Sequence, residues 1–103
     1  GKVSLPKKAA YPVRHIYNQY CIEVSGGRRD ALVAHLREIG IGCAIYYPLS
    51  LHLQKCFADL GGKPGDYPVS EAASGRIMAL PIYPESTAEQ RRSVVDAIAA
   101  FLK

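Results

Sequence analysis

No Asp, Glu, Lys or Arg lies between Glu38 and Lys55, so Ile39 to Gln54, IGIGCAIYYPLSLHLQ, is the longest charge-free run in the chain. Its first half predicts a strand over Ile41 to Tyr47. Ile41, Cys43, Ile45 and Tyr47 alternate with Gly42, Ala44 and Tyr46, and Pro48 cannot extend a ladder. A segment this apolar is expected inside the sheet. Side chains reverse at each residue of a strand, which would send Tyr46 and Tyr47 to opposite faces, one packed and one outward. His52 and Gln54 follow just behind. Two phenols, an imidazole and an amide at the junction of a strand and a loop suit a polar ligand. The same residues also suit edge packing with a surface helix, and both readings stand at this point.

The rest of the chain frames that run. Residues 1–13, GKVSLPKKAAYPV, carry two prolines and three lysines and read as a linker from an upstream domain, so the folded unit is expected over 14–103. A strand is predicted from Arg14 to Val24, with Ile16, Asn18, Tyr20, Ile22 and Val24 on one face. Asn18 is the polar exception there, placed either at a rim against backbone or inside a site. Ser25-Gly26-Gly27 ends the strand, and a helix from Arg29 to Ile39 puts Leu32, Leu36 and Ile39 on one stripe beside Val33, with Gly40 closing it. This succession makes either a right-handed crossover to a parallel neighbour or one unit of a split arrangement.

After Pro48 the pattern gives a short helix over Leu51 to Leu60, then a turn-rich loop from Gly61 to Pro68 that reads as a flap or as an ordinary connection. Pro68 opens a helix over Val69 to Met78 with Ala72, Ala73 and Ile77 as a narrow face, and Ala79 to Pro84 forms a short edge strand. Ser86 with Glu89 is a capping box for a last helix whose buried stripe is Val94, Val95, Ile98, Phe101 and Leu102. The expected fold class is α/β (α+β): a two-layer small domain, with a short two- to three-stranded sheet covered by three or four helices.

Several functions are disfavoured by what is missing. The net charge is +4, but the basic residues are scattered, so no nucleic-acid partner is expected. Cys21, Cys43 and Cys56 lack CxxC spacing, and His52 with Cys56 supplies only two of the four ligands a zinc site needs. No metal is expected. The charge-free run is too short and too interrupted by Pro48 to cross a bilayer, so no membrane partner is expected and the location reads as cytoplasmic. Neither GxSxG nor a phosphate-cradling glycine loop is present.

The succession RHIYNQYCIEV, RRDALVAHLREIGIGCAIYYPLSLHLQKCFADLG, DYPVSEAASGRIMALPIYPE and TAEQRRSVVDAI resembles the C-terminal small domain of the DegT/DnrJ/StrS family of sugar aminotransferases. YYPxxLHLQ and LPIYP carry most of the likeness. It implies the C-terminal domain of the pyridoxal-phosphate-dependent transferase fold, from a parent that forms a homodimer and aminates a nucleotide-linked ketosugar. It further implies that Tyr46 and Tyr47 lie near that substrate, with His52 and Gln54 in its LHLQ segment, while Asn18, the polar exception on its strand, is a further candidate for the same cleft. Many members of the family have His-Tyr where this chain has Tyr46-Tyr47, and often Pro where it has Ser50. Pyridoxal phosphate would be held by a lysine of an upstream large domain. The lysines here, Lys2, Lys7, Lys8, Lys55, Lys63 and Lys103, lie in tail or loop-like segments, so no cofactor and no transaminase activity are expected of the isolated chain. The alternative reading is a free-standing α+β binding or dimerisation module.

Overall fold

Tyr20–Val24 is the strand on which the sheet is built, and it is shorter than its alternation suggests. In the structure, a computed structural model describing residues 1–11 and 14–103, Tyr17 takes a left-handed backbone conformation (φ 47°) and its N–H donates to His15 Nδ1 at 2.9 Å. That local turn removes Arg14 to Gln19 from the predicted strand and leaves Ile16 77% exposed. The strand is β2. It is flanked by β1, Val3–Ser4, and by β3, Ile77–Leu80, in the order β1-β2-β3.

Both pairings are antiparallel: Val3 faces Val24, while Tyr20 faces Leu80 and Ile22 faces Met78. The parallel crossover is therefore not what the chain builds. Part of the segment read as a linker is sheet edge; the boundary expected at Val13 lies outside the described residues. β3 starts earlier than predicted, at Ile77, because the preceding helix ends sooner.

Helix α1, Arg29–Glu38, and helix α3, Ala88–Phe101, cover one face of the sheet. Ile22 and Val24 of β2 and Met78 of β3 meet Leu32, Val33 and Leu36 of α1 and Ile98 and Leu102 of α3 in a single core. Two expected stripe members are outside it. Ile39 caps the end of α1 and is 50% exposed, and Val95 is 53% exposed on the outer side of α3. Cations close the C-terminus of α3: Lys2 Nζ donates to the Leu102 and Lys103 carbonyls, and Arg28 Nη2 donates to the Phe101 carbonyl at 2.6 Å.

The predicted capping box is displaced by one residue. Thr87 accepts from Gln90 N, and Gln90 Oε1 accepts from Thr87 N, whereas Ser86 accepts from Arg91. Both frames have capping-box spacing, but Gln90 Oε1 also accepts from Tyr83 O–H at 3.0 Å, which favours the Thr87 frame. Thr87→Ala is expected to lower stability by about 1 kcal/mol in chemical denaturation, while Glu89→Ala has no measurable effect.

The run from Ile41 to Tyr47 corrects the central expectation. Its alternation holds, since Ile41, Cys43 and Ile45 pack on the core, but it is no inner strand. One bridge, Ala44 to Ala79, joins it to the outer edge of β3. In that register the next hydrogen-bonded pairs would be Gly42 with Pro81 and Tyr46 with Ile77. Pro81 has no N–H, and the Ile77 carbonyl is taken by Arg29 Nη1 at 2.7 Å. The ladder stops after one step.

Residues beyond Pro48 form two 3-10 helices, Leu51–Leu53 and Lys55–Leu60, where one helix was predicted; Gln54 between them is extended. Helix α2 covers only Pro68–Ser74, with Pro68 in its first turn as expected. Its intended narrow face is partial: Ala73 and Ile77 are half-buried and Ala72 is exposed. Gly75 and Arg76 lead out of α2 into β3 because two carbonyls there, those of Ser74 and Ile77, are gathered by the Arg29 guanidinium.

Candidate functional site

Tyr46 and Tyr47 follow the Ala44 bridge and precede Pro48, so the chain presents them between two fixed points. Neither packs into the core. Tyr46 is 42% and Tyr47 58% exposed, and their rings meet edge to face with centroids 6.1 Å apart. The expected division into one buried and one outward tyrosine fails because the segment is not held in a ladder at that point. The peptide bond joining them is cis.

Tyr46 stands between two clefts. One, of about 310 Å³, runs over Ala79 and Pro81 and is bordered by Asn18 and Gln19. The other, of about 210 Å³, lies between Tyr47, Ser50 and Ser70, with Ile77 at its floor. Asn18 thus reaches the same cleft as Tyr46, and its exposed amide makes no hydrogen bond to backbone among the described residues.

His52 and Gln54 are not part of that grouping. Gln54 Nε2 donates to the Leu49 carbonyl at 3.1 Å and closes the turn after Pro48. His52 is directed to a third cleft of about 500 Å³, lined by Phe57, Leu60 and Tyr67, with its ring 4.8 Å from that of Tyr67. The second and third clefts share Leu51 and Ser70.

Glu71 organises this third region, and the sequence reading did not single it out. Its carboxylate accepts from Gly65 N at 2.9 and 3.0 Å, from Tyr67 N at 3.2 Å, and from His52 Nε2 at 3.1 Å. The one available signal was an acidic residue in the first turn of a proline-led helix. With Lys63 N donating to Asp66 Oδ2, these bonds pin the Gly61 to Pro68 loop, which is a tied connection and not a free flap.

The Gly65 N–H, followed by the Tyr67 N–H and the His52 ring, holds the Glu71 carboxyl below the ordinary glutamate range, although partial burial works against them. A depressed folded value means that the carboxylate stabilises the fold above the unfolded value. That contribution is lost as the pH falls through the folded one. Acid unfolding of the wild type below the ordinary glutamate range is therefore expected to be steeper than that of Glu71→Gln, followed by circular dichroism. Superimposable acid limbs would count against this assignment.

Among the described residues no three His, Cys, Asp or Glu side chains cluster to hold a metal, and no helix is long and apolar enough to cross a membrane. Comparison with known proteins adds the following. The model of the DegT/DnrJ/EryC1/StrS aminotransferase family matches residues 2–99. A pleiotropic regulatory protein of Geobacillus stearothermophilus is 45% identical over 86% of this chain and 23% of its own length. A UDP-N-acetyl-3-dehydro-alpha-D-glucosamine 3-aminotransferase of Acidithiobacillus ferrooxidans is 36% identical over 82% of this chain and 22% of its own. Among solved structures, S. venezuelae DesV in complex with a ketimine intermediate superposes with a TM-score of 0.90 at 26% identity, covering 100% of this chain and 27% of DesV. The chain spans about a quarter of the length of the proteins it matches.

Proposed function

The chain belongs to the DegT/DnrJ/EryC1/StrS aminotransferase family, and from that premise we propose that it is the C-terminal small domain of a pyridoxal-phosphate-dependent enzyme aminating a nucleotide-linked ketosugar. Residues 14–103 form the body of that domain, Val3–Ser4 adds its edge strand, and a large cofactor-binding domain is placed upstream of them. The parent works as a homodimer in the cytoplasm. The domain supplies one wall of the substrate cleft.

The observation that carries this reading is the exposed Tyr46–Tyr47 pair between two clefts, with Asn18 beside the first. Phenol hydroxyls can donate to phosphate or sugar oxygens while their rings exclude water. The amide of Asn18 adds a donor and an acceptor on the same side. His52 and Gln54 act from behind, by holding the loops that frame the wall.

We place the pyridoxal phosphate site outside this chain. None of the three clefts described above is lined by a lysine, and Lys2 is committed to the carbonyls at the end of α3. The Schiff-base lysine is assigned to the large domain, and no chemical step is assigned to this one.

The test is turnover by the full-length parent, supplied with pyridoxal phosphate, glutamate, and UDP- or dTDP-linked ketosugars, with 2-oxoglutarate and the amino sugar as products. Tyr46→Phe is expected to raise the sugar-nucleotide KM about tenfold, the ~1.4 kcal/mol of one hydrogen bond to a charged group. The KM for glutamate should not change. A parent that turns over no nucleotide-linked ketosugar would overturn the proposal and leave the non-catalytic binding module.

A further inference from the structure

Tyr46 and Tyr47 are held from two ends. On the upstream side, Ala44 and Ala79 exchange both backbone hydrogen bonds, at 3.2 and 2.7 Å. Downstream the chain is held by α2: Ser70 Oγ donates to Ser50 Oγ at 3.1 Å, and His52 Nε2 meets Glu71 Oε1 at 3.1 Å. Ser50 is only 5% exposed, so its side of this anchor is buried, whereas Ser70 and both tyrosines are open to solvent. Among the described residues neither phenol hydroxyl has a hydrogen-bond partner, leaving the two anchors to set the position of the rings.

Glu71 supplies one of the two downstream ties. A carboxylate can only accept, so His52 must carry its proton on Nε2 and lie with that edge toward α2. The same carboxylate fixes Gly65 and Tyr67, and the Tyr67 ring packs on that of His52, centroids 4.8 Å apart. His52 is therefore held by Glu71 and Tyr67 together, with its side chain 11% exposed. Ser70, next to Glu71, supplies the second tie.

From this we infer that Glu71 is a positioning residue for the Tyr46–Tyr47 wall, acting through His52 and the Ser50–Ser70 contact without touching substrate. The inference rests on the reading of that wall as a substrate surface. Glu71→Gln keeps the size of the side chain but places an amide where up to three N–H groups converge, so one or more of them loses its acceptor. The segment from Tyr47 to His52 then keeps only the Ser50–Ser70 tie at its downstream end.

The experiment uses the full-length chain labelled with 3-fluorotyrosine. Loss of signal in Tyr46→Phe and Tyr47→Phe identifies the two ring resonances. In Glu71→Gln both are expected to shift or broaden while that of Tyr83, beyond the end of β3 and bonded to Gln90 of α3, stays in place. Thr87→Ala, which weakens the fold at α3, should move neither. If Glu71→Gln does not fold, Ser70→Ala removes the second tie and should move the Tyr47 resonance. In kinetics, Glu71→Gln is expected to raise the sugar-nucleotide KM about fivefold with kcat unchanged, the mark of lost uniform binding. Tyr46 and Tyr47 resonances that superimpose on the wild type, alongside a lowered unfolding midpoint, would make Glu71 a fold staple only and overturn the inference. Failure of the parent to turn over a ketosugar would instead strike the proposed function, because the resonances still decide the positioning role.

Discussion

Arg29→Ala is expected to destabilise the protein by about 3 kcal/mol, more than any exposed substitution, as measured by urea denaturation. Arg29 is 6% exposed although it opens a helix. Its Nη1 donates to the Ser74 carbonyl at 3.0 Å and to the Ile77 carbonyl at 2.7 Å, bracketing the passage from α2 into β3. Truncation leaves both carbonyls without this donor and opens a void where the guanidinium lay. The bond from Nε to Asp30 contributes little, since the Asp30 side chain is 81% exposed. Arg29→Lys should fall between wild type and Ala, because an ammonium retains the charge and the donors but ends one bond short of where Nη1 meets the two carbonyls. A midpoint for Arg29→Ala equal to that of Asp30→Ala would refute this account.

Gly62→Ala carries the second large effect, about 2 kcal/mol, and for a different reason. A Cβ at Gly62 would lie 2.7 Å from the His52 carbonyl oxygen and 3.0 Å from His52 Cβ. One of those neighbours is backbone and cannot swing aside, so the loop and the Leu51–Leu53 helix must separate. His52 would be pushed from Glu71 as they part. Gly61→Ala provides the comparison: it has open space around it but a φ of 72°, and strain at that backbone should cost about 1 kcal/mol. The signature of the Gly62 effect is therefore a displaced His52 ring resonance, with Gly61→Ala leaving it in place. Equal ring shifts in both variants would mean that the contact is not the cause.

Local patterns made much of this fold legible. Leu32, Val33 and Leu36 announced the buried side of α1, Gly40 its left-handed exit, and Pro68 the first turn of α2, because each is dictated by near neighbours in sequence. The alternation of Ile41, Cys43 and Ile45 correctly marked an inward face. What alternation cannot report is hydrogen bonding. Whether those residues form a ladder depended on Pro81 and on Arg29, both remote in sequence, and these reduce a predicted strand to one bridge. The site shows the same divide. Tyr46, Tyr47 and Asn18 were expected near a ligand, and in the structure they border one pair of clefts. His52 and Gln54 stand close to them in sequence yet turn away, one toward Glu71 and the other toward the Leu49 carbonyl. Glu71 was hidden because a carboxylate four residues after a tyrosine says nothing about which backbone N–H groups will fold back onto it.

The single bridge at Ala44 has a further consequence for how this chain meets others. Open sheet edges invite pairing with strands of neighbouring molecules, and proteins commonly guard them. Here the outer edge of β3 is spent: the Ala79 groups are paired with Ala44, the Ile77 carbonyl is occupied by a guanidinium, and Pro81 offers no donor. The opposite edge, β1, is two residues long. Along β3 the sheet therefore resists templating by another chain, so association at that edge is left to side-chain surfaces such as the one bearing Tyr46 and Tyr47.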